Sequence, residues 1–269
     1  MRLIPFASAN QVSHWAAHYI ADCINAFAPS AQRPFVLGLP TGSTPLATYH
    51  ELVTLHRAGK LSFRHVVTFN MDEYVGLPPE HPQSYHHFMY QNLFRHLDIN
   101  PDHIHIPNGM ADDLEAECRR YETAIRHYGP VHLFLGGVGS NGHIAFNEPM
   151  SPFDSRTHIS TLTEATRQDN ARFFNQDPNQ VPTRALTVGL ATLQEAEQIM
   201  LLVTGQHKAQ ALRAALEDDV SPLWPISSLR LHKNCLLVCD TDATRELSPP
   251  SLDVVIPWAA ESLVQSAAE

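Results

Sequence analysis

The chain has 269 residues, of which 43% are hydrophobic and 17% charged, and a formal net charge of -10. That is enough apolar material for the core of one large α/β domain, and it argues against disorder. The acidic balance also argues against a general binder of nucleic acid or anionic membranes, which needs basic surface to displace counterions.

The opening MRLIPFASANQ has too short an apolar part for a signal peptide, and no apolar run approaches the ~20 residues that span a bilayer. Cys23, Cys118, Cys235 and Cys239 are scattered without zinc or redox spacing, so a reducing cytoplasmic location is expected. Ser8 caps a helix to about Phe27, with Val12, Trp15, Ala16, Ile20 and Ile24 on its apolar face. PFVLGLP at 34–40 reads as a buried strand. TGST at 41–44 then leads into Pro45, read as the first helical residue behind a Thr44 cap, and Gly59 closes that helix. Gly42, Ser43 and Thr44 thus offer backbone N–H groups and hydroxyls at a helix N-terminus, a place suited to phosphate; a plain helix cap needs Thr44 alone.

HVVTFNMDEY at 65–74 reads as one strand ending in Asp72 and Glu73, a candidate general base beside Asn70 and Tyr74. Helices are expected over about 83–94 and from Asp112 or Asp113 to Tyr128. The 17 histidines invite a metal reading. His86–His87 and His103–His105 lack Cys or carboxylate partners in ligand spacing, so surface or edge positions are expected and no metal.

VHLFLGGVGSNGHIAFNEP at 131–149 runs from a buried strand into Gly136, Gly137, Gly139 and Gly142, and then to His143 and Glu148. Glycines there let the backbone approach a ligand closely, although a bare turn is the simpler local reading. HISTLT at 158–163 reads as a further strand. The polar run from about 163 to 183 reads as an active-site lid carrying Arg172. RALTVGL at 184–190 and QIMLLVTG at 198–205 flank a short helix begun by Thr192, Lys208 lies in the next first turn, and CLLVCD at 235–240 is the last clear strand.

Alternating strands and helices, with no repeat and no linker, predict a single 1–269 domain: α/β, a doubly wound, mostly parallel, Rossmann-like sheet with helices on both faces. Right-handed crossovers place Thr41, Gly42, Ser43, Thr44, Asp72, Gly137, His143, Glu148 and Lys208 on one rim. The hydroxyls with Lys208 and Arg172 make a phosphate cradle, while Asp72 and His143 suit proton transfer on a carbonyl compound. No Gly-Lys-Ser/Thr ending follows TGST, and GVGSNG is not followed by an evident helix. Nucleotide chemistry is therefore disfavoured, and acid–base catalysis without a cofactor is expected.

RPFVLGLPTGSTP at 33–45, VVTFNMDEYVGLP at 66–78, LGGVGSNGHIAFNEP at 135–149, NQVPTRALTVG at 179–189 and GQHKA at 205–209 resemble the glucosamine-6-phosphate deaminases. The resemblance covers roughly residues 1–240 and fades in the tail. It implies conversion of glucosamine 6-phosphate and water to fructose 6-phosphate and ammonia. By resemblance, Asp72 moves the carbon proton and His143 opens the sugar ring with support from Glu148 and position 141. Gly42, Ser43, Thr44, Arg172 and Lys208 would hold the phosphate. Homo-oligomers, commonly hexamers, are also implied.

Two departures stand out. Position 141 is Asn141 where many relatives carry Asp, which leaves Glu148 alone to favour the imidazolium of His143. Relatives activated by N-acetylglucosamine 6-phosphate use a subunit-interface phosphate site. There this chain keeps Ser151 and Thr161 but has His158 and Ser160 in place of basic residues, and Val254 in place of an aromatic one, so weak or absent activation is expected. The alternatives are a 6-phosphogluconolactonase-like hydrolase and a non-catalytic sugar-phosphate sensor.

Overall fold

Strands that are mostly apolar on both faces are stable only where both faces are covered, and FVLGL, VVTFN, LFLGG, IMLLV and CLLVCD are of that kind. The computed structural model describes residues 1–249 and builds these runs into one sheet. In chain order the elements are β1 (Arg2–Phe6), α1 (Ala9–Phe27), β2 (Phe35–Leu39), α2 (Leu46–Arg57), β3 (Val66–Asn70), β4 (Asp72–Tyr74), α3 (Tyr85–Asn92), β5 (Ile104–His105) and α4 (Leu114–Tyr128). Then follow β6 (Leu133–Gly137), β7 (His158–Thr161), α5 (Glu164–Asn170), β8 (Arg184–Thr187), α6 (Leu190–Gln194), β9 (Ile199–Val203), α7 (Ala209–Leu216) and β10 (Cys235–Asp240).

The main sheet has seven strands in the order β1-β10-β9-β6-β2-β3-β5, every pairing parallel. Strand alternation divides the core in two. Leu37, Leu39, Leu133, Leu135, Met200 and Leu202 face α1, α2 and α3, where Ile20, Tyr49, Leu52 and Met89 cover them. Val36, Phe134, Leu201 and Leu237 face the other way, onto Tyr121 and Ile125 of α4, Leu193 of α6 and Leu212 of α7. Cys235 and Cys239 lie together on this second face, as their spacing predicts. After β2 the chain moves outward through β3 and β5, then returns to β6 on the other side of β2. The order therefore reverses between β2 and β6, and ligands of open α/β sheets sit at the carboxyl ends of such a pair.

Several expectations are corrected. MRLIPF carries a strand, β1, held at the sheet edge by β10. The run 65–74 is not one strand: at Met71 the chain leaves the main sheet, with Met71 N–H on Leu39 O (3.0 Å) and Val188 N–H on Met71 O (2.8 Å). β4 then pairs antiparallel with β8, which pairs antiparallel with β7, making a separate three-stranded sheet. RALT therefore does not belong to the parallel sheet. Pro45, not Thr44, occupies the cap position of α2, and no side chain caps it. α6 begins at Leu190 behind Gly189; Thr192 is inside it, its hydroxyl donating to buried Glu122. Ser8 and Asp113 do cap α1 and α4.

The segment expected to be irregular contains α5 and a 3-10 turn at Ala171–Phe173. It is anchored by Ala171, Phe174 and Val181, buried against Tyr74, Phe146 and Ala185. Val254 lies outside the described residues.

Candidate active site

The rim loops and the start of the small sheet enclose one cavity. Thr41, Gly42, Ser43 and Thr44 line it, as do Asp72, Gly137, His143, Asp169, Arg172 and Lys208. Asn141 and Glu148 stand behind His143 and are not on its wall.

On one side, the loop between β2 and α2 turns through Gly42 at φ 95°, a left-handed conformation that favours glycine. Arg172 reaches over from the 3-10 turn after α5, its Nη2 donating to Ser43 Oγ at 3.4 Å. Lys208 follows β9 and occupies the cap position of α7. Burial pulls its pKa down to about 8; nearby Asp169 opposes the fall and Arg172 adds to it. Ser140 Oγ donates to Asp169 Oδ2 at 2.9 Å, joining the glycine loop to α5.

Asp72 and Glu73 are adjacent, and strand alternation sends them to different places. Glu73 accepts the N–H groups of Tyr74 (2.8 Å), Tyr85 (2.9 Å) and His86 (2.8 Å), binding β4 to the N-terminus of α3. Burial pushes its pKa up to about 7, and the three N–H groups, at a helix start, oppose that rise. Asp72 faces the cavity, 6% exposed. Burial first, and the neighbouring Glu73 second, push its pKa up to about 8.

His143 lies on the loop after β6, over a position where only glycine fits. A Cβ at Gly139 would come within 2.2 Å of the imidazole Cε1. Glu148 Oε2 accepts from Asn141 Nδ2 at 3.0 Å, which turns Asn141 Oδ1 toward His143 Nδ1 at 2.7 Å. A carboxamide oxygen only accepts, so Nδ1 carries the proton and Nε2 keeps a free lone pair. Burial holds the imidazole pKa below its ordinary value; Glu148 opposes this and Lys208 adds to it. The expectation that Glu148 alone supports His143 is revised. Its oxygen is 3.7 Å from Nδ1, and Asn141 stands between them. Glu148 Oε1 also accepts the N–H of Thr163, the cap residue of α5, at 3.3 Å.

Of the positions expected at an activator site, Ser160 is buried and its hydroxyl donates to Phe146 O at 2.7 Å. His158 Nδ1 meets Arg156 O at 2.8 Å. Ser151 N–H donates to Glu148 O (2.9 Å), and Thr161 is exposed at the end of β7. Sequence reading missed Asp169, Ser140 and Tyr85 in or beside the cavity. Asp169 precedes Arg172 by about one helical turn, a spacing that could have flagged it. Metal-ligand spacing among the described residues occurs away from the cavity, at His14, His18 and Glu51.

A family model described as glucosamine-6-phosphate isomerases/6-phosphogluconolactonase matches residues 7–238. The glucosamine-6-phosphate deaminase of Glaesserella parasuis serovar 5 is 61% identical over 247 residues, 92% of this chain and 94% of the relative. That of Aeromonas hydrophila subsp. hydrophila is 62% identical over 247 residues, 92% and 93% of the two chains. A solved structure of a monomeric glucosamine-6-phosphate deaminase is 44% identical, with TM-score 0.86, over 90% of this chain and 98% of that one. A 6-phosphogluconolactonase from Trypanosoma cruzi, 21% identical with TM-score 0.71 over 92% and 97%, shares the fold. The chain belongs to the glucosamine-6-phosphate isomerase/6-phosphogluconolactonase family.

Proposed function

We propose that this member of the family converts glucosamine 6-phosphate and water to fructose 6-phosphate and ammonia. One juxtaposition supports the reading: a buried carboxylate, Asp72, and an imidazole with a free Nε2, His143, border the same cavity as Thr41–Thr44, Arg172 and Lys208. The phosphate binds to the loop amides and the two cations and fixes the sugar. His143 Nε2 takes the anomeric hydroxyl proton and returns it to the ring oxygen, opening the ring. Asp72 removes the C2 proton and delivers it to C1, while a proton given up by the C2 ammonium group ends on the C1 oxygen, leaving an iminium at C2. Water adds to that carbon, the C–N bond breaks, and ammonia leaves. These steps need only acid–base groups of the chain. In this reading, residues of about 163–183 form the lid of a one-domain enzyme, acting in the cytoplasm as a homo-oligomer, which light scattering measures. Among the described residues no helix is long and apolar enough to cross a membrane.

Ammonia and fructose 6-phosphate released from glucosamine 6-phosphate are measured beside hydrolysis of 6-phosphogluconolactone. The first activity is expected and the second is not. Asp72→Asn should lower deamination by about 10³-fold. Lactone hydrolysis alone would favour the hydrolase reading, and substrate binding with neither activity would favour a sensor. The hydrogen-bonded, non-basic His158 and Ser160 support weak or absent activation by N-acetylglucosamine 6-phosphate. Sigmoidal kinetics abolished by that ligand would overturn this expectation.

A further inference from the structure

His14 and His18 are one turn apart on α1, the spacing that places both imidazoles over one strip of helix surface. Their rings lie 4.3 Å apart, centroid to centroid. Glu51 comes from α2 and brings a single oxygen, Oε1, to both: 3.4 Å from His14 Nδ1 and 3.1 Å from His18 Nε2. The three ligand atoms lie within 4.8 Å of one another.

We propose that His14, His18 and Glu51 form a binding site for a Zn²⁺-class divalent transition metal, bridging α1 and α2. A tetrahedral ion with bonds of ~2.0–2.1 Å holds its ligand atoms roughly 3.3–3.4 Å apart. The His14–Glu51 distance of 3.4 Å matches that separation and the His18–Glu51 distance of 3.1 Å is slightly short of it, so modest side-chain rotations complete the triangle. Two neutral imidazoles and one carboxylate form a borderline donor set, which suits Zn²⁺, Ni²⁺ or Cu²⁺ and is poor for Mg²⁺ or Ca²⁺. His14 is 56% exposed, so the fourth position opens to water and the ion has a way in. None of the three residues touches the sugar-phosphate cavity. The ion therefore acts as a staple between helices, and it secures α2, whose first turn follows the Thr41–Thr44 loop.

The test uses untagged protein, stripped with chelator and titrated with ZnCl₂ by calorimetry and with CoCl₂ by visible absorption. One equivalent of Zn²⁺ should bind, Co²⁺ should show the intense bands of a four-coordinate ion, and the melting temperature should rise by about 5 °C at ~100-fold excess over the dissociation constant. His14→Gln and His18→Gln should each weaken binding by about tenfold or more. Glu51→Gln, which keeps the size of the side chain, should also weaken it, while melting in chelator stays near that of the parent. Absence of saturable binding would show that the cluster is only a histidine–carboxylate hydrogen-bond group. Binding undiminished in the His14→Gln/His18→Gln double variant would place the ion elsewhere; either result overturns the proposal.

Discussion

On the phosphate side of the cavity, Arg172 meets the Thr41–Thr44 loop through a hydrogen bond of 3.4 Å, and Lys208 faces the opening beside Asp169. On the ring-opening side, His143, Asn141 and Glu148 are joined at 2.7 and 3.0 Å, and Gly139 leaves room for nothing else beneath the imidazole. The first side is a set of cations and donors waiting for an anion; the second is already satisfied internally and has one free lone pair to offer. A phosphate must bring its own charge to complete its half, whereas proton transfer needs a group whose tautomer and orientation are settled beforehand.

The comparison breaks most visibly if Lys208 is removed. Lys208→Met should lower kcat/KM about 10- to 100-fold, because a charge-assisted bond to phosphate is lost, while His143 still titrates, its midpoint raised because the cation that helps hold it down is gone. Steady-state kinetics beside an NMR titration of the imidazole check both halves at once. Loss of the His143 titration would show that the two sides are not separable.

A smaller effect is expected from Asn141→Asp. The new carboxylate loses the N–H that meets Glu148 and adds negative charge beside Nδ1, so the imidazolium is favoured and the His143 midpoint rises. NMR should record that rise with kcat changed only about two- to fivefold. An unmoved midpoint would mean that position 141 orients the ring without tuning it.

The pH dependence sharpens the contrast further. In the proposed mechanism Asp72 must be ionised to act as base, so kcat/KM rises with pH through about 8. Lys208 must be protonated to hold phosphate, so kcat/KM falls as pH rises through about 8, giving a narrow optimum there. Asp169 supports the protonated lysine, and Asp169→Asn should move the falling limb to lower pH. At neutral pH, where the lysine is still charged, loss of that carboxylate should lower KM about two- to threefold. A falling limb that does not move would remove Asp169 from the phosphate side.

Much of the site was legible because parallel strands carry their signal locally. A wholly apolar run followed by glycine, hydroxyl or histidine marks a strand end, and right-handed crossovers put such ends on one rim. Thr41–Thr44, Asp72, His143 and Lys208 were placed this way and line the cavity, whereas Glu148, placed with them, stands behind His143. The small antiparallel sheet was not legible, since DEY continues an apolar run without any turn residue and only pairing with β8 separates it at Met71. The same holds for the segment 163–183, whose Phe174 and Val181 show no periodicity along the chain and are buried only by packing with Tyr74 and Phe146.

The sequence by itself determined the parallel α/β sheet, its two-faced core and the residue types at its rim, because hydrophobic periodicity and backbone freedom are properties of neighbouring residues. Only the tertiary structure decided that Glu73 turns away to a helix while Asp72 stays in the cavity, and that Asn141 stands between Glu148 and His143. It also brought Glu51 to His14 and His18. Each of these depends on distances between side chains set by packing of separate elements, a quantity that spacing along the chain does not contain.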